Sequence, residues 1–219
     1  MSDETKEKEY ALERHLMIKE QIEFRGIRDK ALLSVLEKIP RHLFVLPEYW
    51  PYAYSDQALP SICGQTISQP YIVAKMTELL KLRKSDRVLE IGTGTGYQTA
   101  ILAELVGEVY TMEIVEELYE TARKHPYMKH YKNIHFIHGD GYQGHAEAAP
   151  YDAIIVTAAP SEFPEELIRQ LAVGGKMVIP VGDYIQTLYL VIKQPDNEVR
   201  ITPTLGVQFV PMVRKRDRK

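Results

Sequence analysis

Apolar residues recur at helical spacing through the first third of the chain and give way to short β-branched runs beyond residue 86. Within residues 9–40, Ala11, Ile18 and Ile22 share one stripe with Leu12 and Leu16 beside it; after Gly26 a second stripe carries Leu32, Val35, Leu36 and Ile39. These spacings predict two amphipathic helices, the second ended by Pro40. Between Pro40 and Pro70 the periodicity is lost, prolines recur, and the run "FVLPEYWPYAY" is strongly aromatic. Such a stretch is too apolar to stay solvated, so an ordered loop is expected. The series Ile72, Val73, Met76, Leu79 and Leu80 then predicts a helix from Pro70 to about Leu82. Pro70 suits its first turn, with Ser68 or Gln69 available to cap it.

Beyond that helix, strands and helices alternate. "RVLEI" (87–91), "EVYTMEI" (108–114), "NIHFIHG" (133–139), "YDAIIVTAA" (151–159) and "GKMVIPVG" (175–182) read as strands. "YQTAILAEL" (97–105), a segment from Glu116 and "PEELIRQLA" (164–172) read as helices between them. The alternation predicts an α/β fold, a doubly wound and mostly parallel sheet covered on both faces. The tail segments "TLYLVIK", "EVRITPTL" and "VQFVPMV" lack intervening helices and are expected as antiparallel edge strands.

Composition narrows the function classes. With 219 residues, 45% of them hydrophobic, the chain has enough apolar side chain for one sizeable core. The formal charge of -3 gives no general attraction to nucleic acid or membrane. Cys63 is the one cysteine, which excludes an intramolecular disulfide and fits a reducing compartment. The opening "MSDETKEKEY" lacks a signal peptide's apolar centre, and no apolar run is long enough to span a bilayer. A cytoplasmic protein is the expectation, with no membrane partner. Five histidines cluster at 125, 130, 135, 138 and 145, but His135 and His138 fall on opposite faces of a predicted strand, and no metal site is expected. The terminal "RKRDRK" reads as a solvated end.

The strongest chemical signal is "VLEIGTGTGYQTA". A buried strand ends at Ile91, Gly92, Gly94 and Gly96 allow a tight turn, with Thr93 between the first two, and a helix begins near Tyr97. A strand, glycine loop and helix opening a parallel sheet mark a nucleoside-bearing cofactor at the carboxyl ends of the strands. A dinucleotide fingerprint would place a third glycine where Tyr97 stands. Glu90, two residues before the first glycine, would oppose a diphosphate but suits a cationic or amino group. Glu113 ends the second strand, placed for ribose hydroxyls, and Asp140 within "GDG" could accept from an adenine amine, with Gly141 beside it. Three acids at successive strand ends suit S-adenosyl-L-methionine, which carries a sulfonium and no phosphate.

The chain resembles the protein-L-isoaspartate O-methyltransferase family over nearly its whole length. The resemblance is carried by "PRHLFV" (40–45), "ALPSICGQTISQPYIVAKM" (58–76), "LEIGTGTGYQTA", "GDGYQG", "YDAIIVTAA", "QLAVGGKMVIPVG" and the late "GVQFVPM". Tyr71 stands where family members often carry histidine. The resemblance implies a Rossmann-like methyltransferase fold with a rearranged order in the last strands. It also implies methyl transfer to the free α-carboxylate of L-isoaspartyl residues in damaged proteins, which starts repair through a succinimide. Ser68 matches the family's active-site serine. Three segments of a single domain are expected: residues 1–85 with the N-terminal helices and substrate-side loop, 86–183 as the cofactor core, and 184–219 as edge strands.

The chemistry asks for little acid–base work. A carboxylate, with a pKa near ~4, is ionised at pH 7 and needs aiming and drying rather than deprotonation. Ser68 is the candidate catalytic residue, a neutral donor that orients the acceptor without trapping it. Gln65 and Thr66 could add hydrogen bonds to cofactor or substrate. Thr157, Ala158 and Ala159 lie at the mouth of the fourth strand, and "GVQFVPM" could offer an opposing wall to an extended peptide. Competing readings are a methyltransferase for RNA or a metabolite, a noncatalytic binding module, and an NAD-dependent oxidoreductase. Dispersed basic residues count against nucleic acid. The intact acids, glycines and Ser68 count against a noncatalytic module, and Tyr97 counts against NAD. A monomer is expected.

Overall fold

The computed structural model describes residues 3–196 and 198–214; of the basic terminal run, 215–219 lie outside them. Helix α1 (Asp3–Leu16) continues into a π-helical segment, Met17–Glu23, and α2 (Lys30–Lys38) follows. The π segment rewinds the expected stripe. Met17, Ile18 and Ile22 are buried, whereas Leu12 and Leu16 are 60% and 43% exposed. A wider helical turn changes the residue spacing, so a stripe drawn at 3.6 residues per turn leaves the core at that point. Asp29 starts α2, its carboxylate accepting from the amides of Ala31 and Leu32 at 2.9 and 3.1 Å.

The aromatic stretch is ordered by three 3₁₀ turns (Arg41–Phe44, Pro47–Tyr52 and Ile62–Gly64) and by a two-residue antiparallel ladder of β1 (Leu59–Pro60) with β2 (Thr66–Ile67). Phe44, Val45, Ala53 and Tyr54 are buried in one cluster with Met17, Ile22 and Leu36. Helix α3 (Pro70–Leu80) stops two residues short of expectation because Lys81 turns left-handed, with φ 52°. No side chain caps its start: Gln69 instead donates to the carboxylate of Asp56 at 2.8 Å. Ser68 is therefore not a helix cap.

The remaining elements alternate as expected: β3 (Arg87–Ile91), α4 (Tyr97–Leu105), β4 (Glu108–Glu113), α5 (Glu116–Lys124), β5 (Ile134–His138), β6 (Tyr151–Val156), α6 (Glu165–Gln170), β7 (Leu171–Val181), β8 (Gln186–Lys193) and β9 (Val199–Val207). The seven long strands form one sheet in the order β5-β4-β3-β6-β7-β8-β9. Pairing is parallel from β5 to β7 and antiparallel at β8 and β9. Alternate residues serve opposite faces: Val88 packs with Met76, Leu80 and Leu102, while Leu89 and Ile91 pack with Leu167 and Met177. Each such side chain, taken from water, contributes roughly 2 kcal/mol.

The last expected strand does not form. After β9, residues 208–213 leave the sheet as an extended strap across the carboxyl ends of the central strands. Gln186 holds it, accepting from the Phe209 amide at 2.6 Å and donating to its carbonyl at 3.1 Å. Ala159 then pairs with it on both sides, donating to Val210 O and accepting from the Met212 amide, each at 2.8 Å. The apolar run 209–213 suits extended backbone, and here side-chain and loop partners satisfy that backbone rather than a neighbouring strand. Among the described residues, no helix is long and apolar enough to cross a membrane.

Candidate active site

The parallel strands β3, β4 and β6 end side by side, and the loops leaving them enclose a cleft of about 1130 Å³, mouth included. One wall comes from the glycine loop and β4, with Gly92, Thr93, Gly94 and Glu113. Gly141 adds to the floor, and Met112, Val115 and Leu118 make the apolar part. The opposite wall is Gln65, Thr66, Ile67 and Ser68. Thr157, Ala158 and the strap residues Val210 to Val213 complete the rim. Eight of the residues expected from sequence thus face one space: Gln65, Thr66, Ser68, Gly92, Thr93, Gly94, Glu113 and Gly141.

Glu113 is held rigidly. One carboxylate oxygen accepts from the Gly94 amide at 2.9 Å, and the other accepts from the amides of Ile114 and Val115 at 3.0 and 2.9 Å. An ionised carboxylate offers about four acceptor positions, so Oε2 keeps capacity for a ligand hydroxyl. Gly92 carries φ 93°, and a Cβ there would lie 2.3 Å from Thr157 Oγ1, which itself donates to Gly92 O at 2.7 Å. A Cβ built on Gly94 meets nothing within 4 Å and would project into the cleft.

Of the residues expected to hold the cofactor, three do not line the cleft; Ala159, expected at the substrate mouth, also lies outside the lining. Glu90 is fully buried beneath the glycine loop, where its Oε2 accepts from Thr99 and Thr111 hydroxyls at 2.5 and 2.6 Å. Thr111 is bonded in turn to Thr93 at 2.6 Å. Burial raises the Glu90 pKa to about 8, against the pull of those two donors, so the group is neutral at pH 7. It ties β3, β4 and α4 together and reaches the cleft only through Thr111 and Thr93. Gly96 precedes α4 with φ 88°, and a Cβ there would lie 2.5 Å from Met128 Cε, which makes it a packing glycine. Asp140 accepts from the Tyr142 amide at 3.0 Å and caps the 3₁₀ turn Gly141–Gln143; its neighbour Gly141 forms the wall.

The structure adds residues that sequence reasoning did not place. Thr95, Gln98, Ile114, Val115 and Leu118 line the cleft, and Gln98 donates to Thr77 at 3.1 Å. Their one signal is Gln98, a polar residue next to Thr99 at the start of a helix that continues with Ala100, Ile101, Leu102 and Ala103; the aliphatic residues look like any core position. Tyr71 lines neither this cleft nor the one beside it, and the Arg25 guanidinium lies over its ring at 4.7 Å. A second cleft adjoins the first on the solvent side, walled by Ile72, Tyr184, Ile185, Val207 and Phe209. Thr66 and Ser68 line both spaces.

Of the described residues around the inner cleft, Glu113 alone is charged, and no lysine or arginine stands there to meet a phosphate. A parallel sheet, a glycine loop with an open cradle at Gly94, and an acid at the next strand end define a Rossmann-like methyltransferase. The sequence comparisons name the family within that class. Residues 12–217 match the family described as protein-L-isoaspartate(D-aspartate) O-methyltransferase, and the chain belongs to it. A Picosynechococcus protein-L-isoaspartate O-methyltransferase is 52% identical over 199 residues, covering 91% of this chain and 89% of that one. Its counterpart from Dictyoglomus thermophilum is 51% identical, covering 93% and 92%. Among solved structures, a protein-L-isoaspartate O-methyltransferase superposes with TM-score 0.82 at 31% identity, covering 90% of this chain and 65% of that one. A Plasmodium falciparum structure described as the same enzyme, in complex with S-adenosyl-L-homocysteine, gives TM-score 0.78 at 27% identity, covering 92% and 98%.

Proposed function

We propose that this protein methylates the free α-carboxylate of L-isoaspartyl residues in damaged proteins and peptides, with S-adenosyl-L-methionine as cofactor. The ester then collapses to a succinimide, which can reopen as normal aspartate. The observation that carries this reading is the position of Ser68, on the one stretch of wall shared by an inner, nearly uncharged cleft and an outer, peptide-sized one.

When bound, S-adenosyl-L-methionine supplies an electrophilic methyl group on a sulfonium. The chain's residues divide the remaining work. Glu113 and the Gly92–Gly94 backbone would hold the ribose and amino-acid parts, the Oε2 position of Glu113 accepting a hydroxyl. Met112, Val115 and Leu118 offer apolar faces for the base, beside Gly141. Glu90, Gly96 and Asp140 act from behind, fixing the loop, the start of α4 and the turn that presents Gly141. Ser68 donates to the acceptor carboxylate and turns one oxygen toward the inner cleft, with Gln65 and Thr66 alongside. No base is required, because the acceptor is already ionised. A cleft with few competing charges favours a reaction in which cation and anion neutralise one another. We further take the protein as a cytoplasmic monomer without nucleic-acid or membrane partners, a reading supported by its single cysteine and its formal charge of -3.

The test is transfer of a labelled methyl group to an isoaspartyl peptide and to its aspartyl isomer. Labelling of the isoaspartyl peptide alone is expected. Equal labelling of both, or none with cofactor bound, would overturn the assignment.

A further inference from the structure

The motif "PRHLFV" contributes nothing to the cleft surface, yet it holds the least expected charge in the molecule. Arg41 is fully buried. Its Nε donates to Ala53 O and its Nη2 to Ser68 O, both at 2.8 Å, and its guanidinium sits 5.0 Å from the centre of the Tyr97 ring. Tyr97 itself lines the cleft. Among the described residues Nη1 has no hydrogen-bond partner, and no carboxylate pairs with Arg41. Burial lowers its pKa to about 10, which leaves it a cation at pH 7. A buried ion without a counter-ion is expensive, and an apolar side chain of similar length would usually serve stability better. The cost is sited one hydrogen bond behind the residue that would meet an anionic acceptor.

Resting on the function proposed above, we infer that Arg41 is the positioning residue of the acceptor wall, fixing the Ser68 backbone and supplying the positive field by which the cleft prefers a carboxylate to a neutral group. The placement suits the chemistry. In direct contact a cation would quench the nucleophile; behind the Ser68 carbonyl it gathers the anion while leaving its oxygens available. The ester product is neutral and loses that attraction, so the same charge that draws the acceptor in does not retain the product.

The test compares Arg41→Met and Arg41→Gln, which remove the charge, with Arg41→Lys, which keeps it. The probes are an isoaspartyl hexapeptide and its α-carboxamide counterpart as a competitive inhibitor. In the uncharged variants the preference for carboxylate over carboxamide should fall about tenfold, with KM raised and kcat changed by less than about threefold. Arg41→Lys should restore the preference. A folded Met or Gln variant, with wild-type cofactor affinity and an unchanged preference, would overturn the inference, as would a lysine variant that loses it equally. If Arg41→Met does not fold, Arg41→Gln carries the test, since its amide can still reach one carbonyl. Failure of the underlying function would look different: the wild-type protein itself would not methylate the peptide.

Discussion

The two walls of the cleft are built by opposite means. The cofactor wall is regular structure at its most economical, a strand, a glycine turn and a helix, with Glu113 accepting from the Gly94 amide of the turn and from the Ile114 and Val115 amides beside it. The acceptor wall is irregular, a two-residue ladder closed by a 3₁₀ turn with Cys63 in a left-handed conformation, φ 57°. Beyond its own backbone bonds, side chains tie it down: Arg41 on the Ser68 carbonyl, and Gln69 on Asp56. One wall is fixed by the ladder of the central sheet and by Glu113 at the end of the next strand, and the other by its own short ladder together with Arg41 and Asp56. Damage should therefore spread differently from each.

The largest effect is expected on the cofactor side. Gly92→Ala demands a left-handed alanine and pushes its Cβ into Thr157, which is bonded to the loop carbonyl. A loss of about 3 kcal/mol and cofactor affinity weakened more than tenfold should follow, measured by denaturation and by calorimetric binding. Wild-type affinity would mean that the loop tolerates a different path.

Glu90 tests the layer beneath that wall. Its pKa in the fold is about 8, whereas an unfolded glutamate titrates near ~4.3. Between those values folding takes up a proton, so its contribution to stability is complete below the lower pKa and is lost as pH rises through the upper one. The slope approaches ~1.4 kcal/mol per pH unit, or about 2 kcal/mol from pH 6 to 8. Glu90→Gln should flatten that fall in chemical denaturation. An unaltered pH profile would mean that the carboxyl is ionised in its threonine cage.

The smallest of the three belongs to the acceptor wall. Ser68→Ala removes one orienting donor and should lower turnover about tenfold, with cofactor affinity unchanged. Unchanged turnover would leave the hydroxyl without a catalytic task.

The contrast also explains what could be read from the sequence. The cofactor wall was legible because glycines at a strand–helix junction have few other uses, and Glu113 follows one strand later. Glu90 was legible as an acid but not as a buried one. Its partners Thr99 and Thr111 are 9 and 21 residues away and meet it only once β3, β4 and α4 assemble. The acceptor wall has no periodicity, so residues alone said little beyond a possible helix cap; family resemblance singled out Ser68. The tail misled in an instructive way. The apolar run at 209–213 suits extended backbone, and nothing local says whether a sheet or a strap will receive it.

That strap has a consequence for motion. The amides of Ala159 and Met212 are each bonded across the same short bridge, and the Tyr142 hydroxyl adds a bond to the Met212 carbonyl at 3.3 Å. They should exchange with solvent deuterium together, at a rate set by a single opening event. Met212 covers Gly141, so each such event would also bare the floor of the cleft. A pair of amide signals at the rim of the cleft would then act as a clock for access to the cofactor.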